Sequence, residues 1–161
     1  MKHPSIQWTA ESTSAAETEI LGNRIGVELL AGDLVLLTGT LGAGKTCLTR
    51  GLAAGWGALE QPTSPTFTLI NEYHRARDEI RFYHADCYRL SGEADAISTG
   101  IEDVFDSPAV LVIEWAERIL SLLPESWLHI EITASRDGGR TFAFTACGER
   151  PVELLQRIQA Q

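Results

Sequence analysis

The residues from Gly39 to Cys47, GTLGAGKTC, combine three glycines with one lysine and two threonines. The spacing G-x-x-x-x-G-K-[ST] is matched in full by Gly39, Gly44, Lys45 and Thr46. Gly42 and Gly44 let successive backbone N–H groups point inward, and a helix that begins at Lys45 adds the positive end of its dipole. The pattern therefore predicts a loop that binds phosphate groups.

Two side chains of this loop carry the expected chemistry. Lys45 would contact the terminal phosphates of a nucleotide as a point charge, and the Thr46 hydroxyl would bind Mg²⁺, which prefers oxygen ligands. Charge-assisted hydrogen bonds are worth roughly 1.5–3 kcal/mol each, so several together overcome repulsion from an acidic surface. A simple glycine-rich turn with an exposed lysine is the alternative, and the elements on either side of the loop disfavour it.

Those elements are a strand before the loop and a helix after it. The apolar run Leu34 to Thr38 predicts the strand, and Lys45 to Ala54, closed by Gly55-Trp56-Gly57, predicts the helix. An entry helix is predicted upstream, because apolar residues recur at helical spacing from Ile20 to Leu30, after the cap-like cluster Ser12-Thr13-Ser14. Gly32-Asp33 ends this run.

The middle of the chain favours a loop, a hairpin and short helices. Two prolines in PTSPTFTLINEYH forbid a helix, and the β-prone residues that follow predict a loop that leads into a strand. Arg75 to Glu79 has the character of a hairpin connection to a second strand from Ile80 to Ala85. Small and acidic residues from Ser91 to Asp106 predict short helical turns.

The run Ala109 to Ile113 is uninterrupted apolar β-former sequence, which is typical of a strand covered on both faces at the centre of a sheet. Further on, Trp127 to Thr133 and Arg140 to Cys147 predict a hairpin, and Pro151 opens a final helix. These elements, without repeats or linkers, predict a single α/β domain over residues 1–161.

Glu114 directly follows the predicted central strand. Residues at the carboxyl ends of parallel strands border the ligand crevice of open α/β sheets, so Glu114 is our candidate for holding the metal opposite Thr46. The alternative is an acidic residue that caps a helix beginning near Trp115. For Trp115 itself, packing and a functional role both stay open.

The composition sets limits on partners and compartment. Thirteen Lys and Arg against 22 Asp and Glu give a formal charge of −9, which argues against a surface that holds nucleic acid through its phosphates. Three widely separated cysteines without a secretory leader predict a protein of the reducing cytosol rather than a disulfide framework. No apolar run approaches the roughly 20 residues needed to cross a bilayer, so we expect a soluble protein.

Several further segments carry a resemblance to a known family. They are GTLGAGKT, SPTFTLINEY from Ser64 to Tyr73, HADCYRL from His84 to Leu90, GIEDVF from Gly100 to Phe105 and VIEWAER from Val112 to Arg118. In order, spacing and length they resemble the TsaE family, the bacterial ATPase component of tRNA threonylcarbamoyladenosine synthesis. SPTFTL together with H-x-D-x-Y-R-L is far more specific than the phosphate loop alone.

The resemblance implies a P-loop NTPase fold of three α/β/α layers, with a mixed, mostly parallel sheet and a C-terminal β-hairpin plus helix. It implies an ATPase that uses Mg²⁺ and works with two partners, TsaB and TsaD, which carry out the transfer to an adenosine of tRNA. Contact of this chain with tRNA would be indirect, which agrees with its negative charge.

The resemblance also assigns residues by matching position. It implies that Thr46 and Glu114 hold Mg²⁺ and that Asp86 orients or deprotonates water near the γ-phosphate, although a turn-forming aspartate before Cys87 is the alternative. Thr66 would sense the nucleotide state or be a buried threonine at the start of a strand. The phosphates are expected to contact Gly42, Ala43, Gly44, Lys45, Thr46 and Cys47.

Contacts to the adenine side are implied around Thr13 and Ser14, and the Gly139-Arg140 turn is expected to close over the base or ribose. The chain departs from the family pattern at Thr40, where Asp is usual, and at Cys47, where Thr is usual. One acidic group near the phosphates is therefore absent and one hydroxyl becomes a thiol. Neither change removes the roles of Lys45 or Thr46.

Other functions fit the sequence less well. Zinc binding by His84, Asp86 and Cys87 lacks a second ligand pair, so a buried or orienting His84 is preferred. Cys47 has no base and acid pair nearby in sequence and is expected to pack rather than react. A small-molecule P-loop kinase would use the same loop, but the chain has no arginine-rich lid segment. A module that holds ATP only as a docking switch is the third possibility.

Overall fold

The computed structural model describes residues 5–64 and 69–161. Within this part of the chain the strands are β1 Ser5–Ser12, β2 Leu34–Thr38, β3 Ile70–Tyr73, β4 Phe82–Asp86, β5 Val110–Glu114, β6 Trp127–Ala134 and β7 Arg140–Cys147. The helices are α1 Ala15–Gly26, α2 Lys45–Trp56, α3 Glu93–Ser98, α4 Ile101–Phe105 and α5 Glu149–Gln159. Two 3₁₀ turns, Ala116–Arg118 and Leu120–Leu122, follow β5.

All seven strands form one mixed sheet in the order β1-β7-β6-β2-β5-β4-β3. The four inner strands β6, β2, β5 and β4 run parallel, and β7, β1 and β3 are joined to them by antiparallel pairing. All five residues of β5 are buried, as the continuous apolar run predicted. The α/β class, the mixed sheet with a parallel core and the C-terminal hairpin plus helix are confirmed.

The two faces of this sheet are covered to different extents. Helices α1, α2 and α5 pack against the whole first face, and their core includes Leu48, Leu52 and Leu155. On the second face, α3, α4 and the 3₁₀ turns cover only the side of the sheet that contains β4, β5 and β2.

One row of paired residues crosses the second face from β4 to β1 and shows where the cover ends. Its members are Ala85, Ile113, Leu36, His129, Thr145 and Gln7. The first three are buried, His129 and Thr145 are partly exposed, and Gln7 is exposed. The second layer therefore stops between β2 and β6.

Glycines bring α1 and α2 unusually close together. A Cβ added at Gly26 would lie 2.1 Å from the carbonyl oxygen of Leu52, and one added at Gly51 would lie 2.2 Å from that of Glu19. Only hydrogen atoms in place of side chains allow this backbone-to-backbone contact. Because α2 begins at the phosphate loop, the contact also fixes the direction of the helix that supports the loop.

The structure corrects two of the predicted elements. Helix α1 ends at Gly26 rather than near Leu30, and the Asp33 carboxylate accepts a hydrogen bond from the Leu30 amide in the turn that follows. Val27 and Leu30 are more than half exposed, so part of the apolar periodicity does not mark a buried face. Strand β1 was not predicted; its residues Ile6, Trp8 and Ala10 alternate with exposed polar ones and pack on the core.

The other predicted elements are confirmed to within about two residues, including β2, α2, the Trp127–Cys147 hairpin and the C-terminal helix. Among the residues described, no helix has the length and hydropathy needed to cross a bilayer.

Candidate functional site

The phosphate loop joins the end of β2 to the start of α2. Gly44 has a left-handed backbone with φ of 114°, and it precedes the helix without a side-chain cap on the first-turn amides. A side chain at this position would be strained, and its Cβ would lie 2.7 Å from Arg140 Nε. The uncapped amides of a helix N-terminus form a binding site for an anion.

Lys45 is the buried cation of this loop. Its Nζ donates hydrogen bonds to the carbonyl oxygens of Gly39 at 2.7 Å and Thr40 at 2.9 Å, and it lies 4.1 Å from the ring centroid of Trp115. Burial lowers the pKa of Lys45, while the nearby carboxylates Glu114, Glu117 and Asp86 oppose that shift. The ammonium is therefore held in place by its own loop and one indole ring.

A chain of hydrogen bonds links the loop to β4 and β5. Thr46 Oγ1 donates to Glu114 Oε1 at 3.0 Å, and His84 Nε2 donates to the same oxygen at 2.8 Å. His84 is completely buried, as expected, and Glu114 is 3% exposed. Glu114 therefore interacts with the loop helix and with β4, and the 3₁₀ turn begins only at Ala116.

Asp86 is the last residue of β4 and pairs with Glu114 across the sheet. Its Oδ1 accepts the Tyr88 amide at 2.9 Å. Burial raises the pKa of Asp86, the Tyr88 hydrogen bond opposes this shift, and the charge of Glu114 adds to it. Two carboxylates at adjacent strand ends thus face the loop, and one is more easily protonated than an ordinary aspartate.

These groups surround one cavity of about 210 Å³. The predicted site residues that line it are Gly42, Gly44, Lys45, Thr46, Cys47, Asp86 and Glu114. Ala43 is buried beneath the loop, and its carbonyl oxygen accepts Arg140 Nε at 2.9 Å. The oxygen ligands suited to Mg²⁺, the Thr46 hydroxyl and the Glu114 carboxylate, are already in contact.

The residues predicted for the adenine side lie outside this cavity but beside the loop. Ser14 Oγ accepts the Glu17 amide and caps α1, and Thr13 donates to the Glu17 carboxylate. Gly139 precedes Arg140, whose side chain reaches the loop. The two segments are adjacent, because Ser12 pairs with Arg140 across the strands β1 and β7. Thr66 lies outside the described residues.

Three cavity residues, Leu41, Ser64 and Tyr88, were missed by the sequence predictions. The Ser64 hydroxyl lies 3.1 Å from Thr46 Oγ1, and Tyr88 packs on Trp115 with ring centroids 5.0 Å apart. Ser64 could have been found, since it opens the segment SPTFTL. Trp115, left open above, has a left-handed backbone with φ of 59° and touches both Lys45 and Tyr88.

Comparison with known proteins identifies the family. The sequence model for TsaE, described as threonylcarbamoyl adenosine biosynthesis protein TsaE, matches residues 12–142. The chain belongs to the TsaE family. This family acts in the biosynthesis of threonylcarbamoyladenosine in tRNA, as the resemblance had implied.

Two curated TsaE proteins illustrate the similarity. The chain is 43% identical over 129 residues to that of Treponema pallidum (strain Nichols), covering 80% of this chain and 93% of the relative. It is 35% identical over 153 residues to that of Bacillus subtilis (strain 168), covering 95% and 93%. The crystal structure of Bacillus subtilis YdiB superposes with a TM-score of 0.80 at 32% identity, covering 98% of this chain and 97% of that chain.

The departures from the TsaE pattern have simple structural consequences. Thr40 is exposed, and its carbonyl oxygen rather than its side chain holds Lys45. The Cys47 thiol donates to the carbonyl oxygen of Ala15 at 3.3 Å, and burial raises its pKa. Burial also raises the pKa of Cys87 to about 12. A raised pKa lowers the fraction of reactive thiolate at neutral pH, which agrees with the packing role expected for Cys47.

Proposed function

We propose that this TsaE protein is a Mg²⁺-dependent ATPase that supports threonylcarbamoyl modification of tRNA together with TsaB and TsaD. One observation carries the proposal: Lys45, Thr46, Glu114 and Asp86 converge on one cavity at the carboxyl ends of adjacent parallel strands. Open α/β sheets bind ligands at this edge.

Each residue has a distinct task in this scheme. The loop amides and Lys45 would hold the phosphates, and Thr46 with Glu114 would hold Mg²⁺, whose charge stabilises the negative charge of the transferred phosphoryl group. His84 keeps the Glu114 carboxylate turned toward Thr46 through its 2.8 Å hydrogen bond. Asp86 would orient a water for attack on the γ-phosphorus, and its raised pKa suits it to accept a proton.

The test is phosphate release from ATP by this chain, alone and with purified TsaB and TsaD. Asp86→Asn and Glu114→Gln should each lower kcat by at least about 100-fold, because general-base and metal-binding groups contribute on this scale. Lys45→Ala should weaken the binding of a non-hydrolysable ATP analogue about 10- to 100-fold by calorimetry, since it removes a charge-assisted contact. EDTA should abolish turnover.

Asp106→Asn is the matched control, since Asp106 is an exposed carboxylate at the end of α4 and away from the cavity. It should leave turnover unchanged. Turnover like that of the wild type in both Asp86→Asn and Glu114→Gln would contradict the proposal. Transfer of the γ-phosphate to a small acceptor in place of water would instead favour a kinase.

A further inference from the structure

A groove of about 840 Å³ lies beside the phosphate loop on the second face of the sheet. Leu36 and His129 form part of its floor, Leu120 and Leu123 line one wall, and Leu41 at the tip of the loop lines another. The groove exists because the second layer ends at the 3₁₀ turns, and no helix of the described residues covers β6 beyond them.

The lining of this groove is apolar with a negative rim. Leu41 and Leu120, on two sides of this depression, are 75% and 64% exposed. Among the described residues that line the groove, the charged ones are the exposed carboxylates Glu117, Glu125 and Glu131, and none is lysine or arginine. The nearby Arg118 points elsewhere and donates to the carbonyl oxygen of Leu90.

This chemistry selects one class of occupant. Three carboxylates repel the phosphates of a nucleic acid, so the groove is unsuited to tRNA. Apolar side chains framed by carboxylates complement a peptide segment with leucine- or phenylalanine-like residues on one side and lysine or arginine beside them. An arginine could also make a cation–π contact with a tryptophan of the lining, such as the partly buried Trp127.

The groove shares structural parts with the phosphate site. Leu41 and Trp115 line both cavities, and Gly39 and Thr40, whose carbonyl oxygens hold Lys45, also line the groove. An occupant would therefore contact the same loop and the same indole ring that position the buried ammonium.

We infer that the groove docks an amphipathic, positively charged segment of a partner protein, and that docking changes nucleotide binding through Leu41 and Trp115. The inference rests on the proposed function, because it places the partner at the ATPase site. Thermodynamic linkage requires the effect to be reciprocal: if the partner changes nucleotide affinity, the nucleotide changes partner affinity by the same factor.

The experiment measures binding of the full chain to purified TsaB and TsaD by biolayer interferometry. Leu120→Asp places a charge in the apolar wall and should weaken binding at least 10-fold. The double variant Glu117→Lys with Glu131→Lys should also weaken it and should reduce its salt dependence, because it reverses the rim charge. Each variant is compared with the wild type for nucleotide affinity in the absence of partners.

Leu59→Asp is the matched control, since Leu59 is 68% exposed and lines a separate depression beside α1 and α2, outside the groove. It should change partner affinity less than twofold. Equal partner affinity in Leu120→Asp, Leu59→Asp and the wild type would overturn the inference. A homodimer, seen by light scattering and dissociated by Leu120→Asp, would make a second copy the occupant and would also overturn it.

The design separates this inference from the proposed function. If Leu120→Asp lowers partner affinity while no protein hydrolyses ATP, the groove is a docking site and the proposed ATPase activity is wrong. If partners stimulate ATP hydrolysis equally in Leu120→Asp and the wild type, the ATPase proposal stands and the groove inference is wrong.

Discussion

The two halves of the sheet differ in how they are covered, and their chemistry differs accordingly. Around β4 and β5 both faces are buried, and Glu114 with His84 forms a hydrogen-bonded pair shielded from water. Around β7 and β1 the second face carries threonines and polar residues that face solvent. The comparison teaches that the doubly covered half holds the buried carboxylate and histidine of the candidate site, and that the groove lies at the border where the cover ends.

Burial explains why Glu114 and His84 belong to the doubly covered half of the sheet. A charge or hydrogen bond acts more strongly where water is excluded, but an unpaired polar group there is costly. Glu114 avoids this cost because its carboxylate accepts hydrogen bonds from Thr46 and His84. A surface that binds a partner reversibly needs solvent-exposed side chains instead of buried ones.

The largest expected effect is a loss of stability on truncating a side chain in the doubly covered half of the sheet. Leu111→Ala removes a side chain that is 4% exposed under the second layer, and it should lower the free energy of unfolding by about 2–5 kcal/mol. Thr145→Ala, on the same face but over the open half, should cost less than about 1 kcal/mol. Urea denaturation measures both. Equal losses of unfolding free energy in Leu111→Ala and Thr145→Ala would contradict the difference between the two halves of the sheet.

A second test concerns the helices that cover the first face. Gly26→Ala places a Cβ 2.1 Å from the Leu52 carbonyl oxygen, so the helices must separate, at an expected cost of about 1–3 kcal/mol. Gly92→Ala is the control, because a Cβ there would have no atom within 4 Å and the backbone is extended. Thermal unfolding should show a lower Tm for Gly26→Ala alone. An unchanged Tm would mean that the interface yields without strain.

The smallest expected effect concerns pH at the border between the halves. Burial lowers the pKa of His129, so the unfolded chain binds more protons than the folded one just below pH 6.5, the usual histidine value. The free energy of unfolding should therefore increase with pH across this interval, by at most about 1.4 kcal/mol per pH unit for one group.

His129→Gln can retain a hydrogen bond to Thr38, which His129 Nε2 makes at 2.7 Å, but it does not titrate. Its stability should fall less steeply than that of the wild type as the pH is lowered below 6.5. The free energy of unfolding is measured by denaturation at several pH values. If it changes equally with pH in the wild type and His129→Gln, His129 is not the source of the pH dependence.

Much of the doubly covered half could be predicted from the sequence. The continuous apolar run at β5, the glycine loop and the strand-end positions of Glu114 and Asp86 each follow from local patterns. The convergence of these residues follows from a general property of parallel strands, whose carboxyl ends meet at one edge. The roles proposed for Asp86 and Glu114 in catalysis stay predictions.

The half with the open face was harder to predict. Strand β1 carries a clear alternation of Ile6, Trp8 and Ala10, but it pairs with β7 at the far end of the chain, and local composition does not reveal such a partner. The groove depends on where the second layer stops, which is a tertiary property. The end of α1 was misplaced because exposed Val27 and Leu30 continue the apolar spacing beyond the helix.

Trp115 carries a left-handed backbone that a side chain disfavours, at a cost of about 1–3 kcal/mol. A glycine would relieve this strain at once, yet it would take the indole away from Lys45 and from the shared wall of the two cavities. A substitution at Trp115 therefore trades lower backbone strain against the loss of the side chain that lines both cavities. Trp115→Gly should relax the turn and at the same time remove the indole ring that lines both cavities.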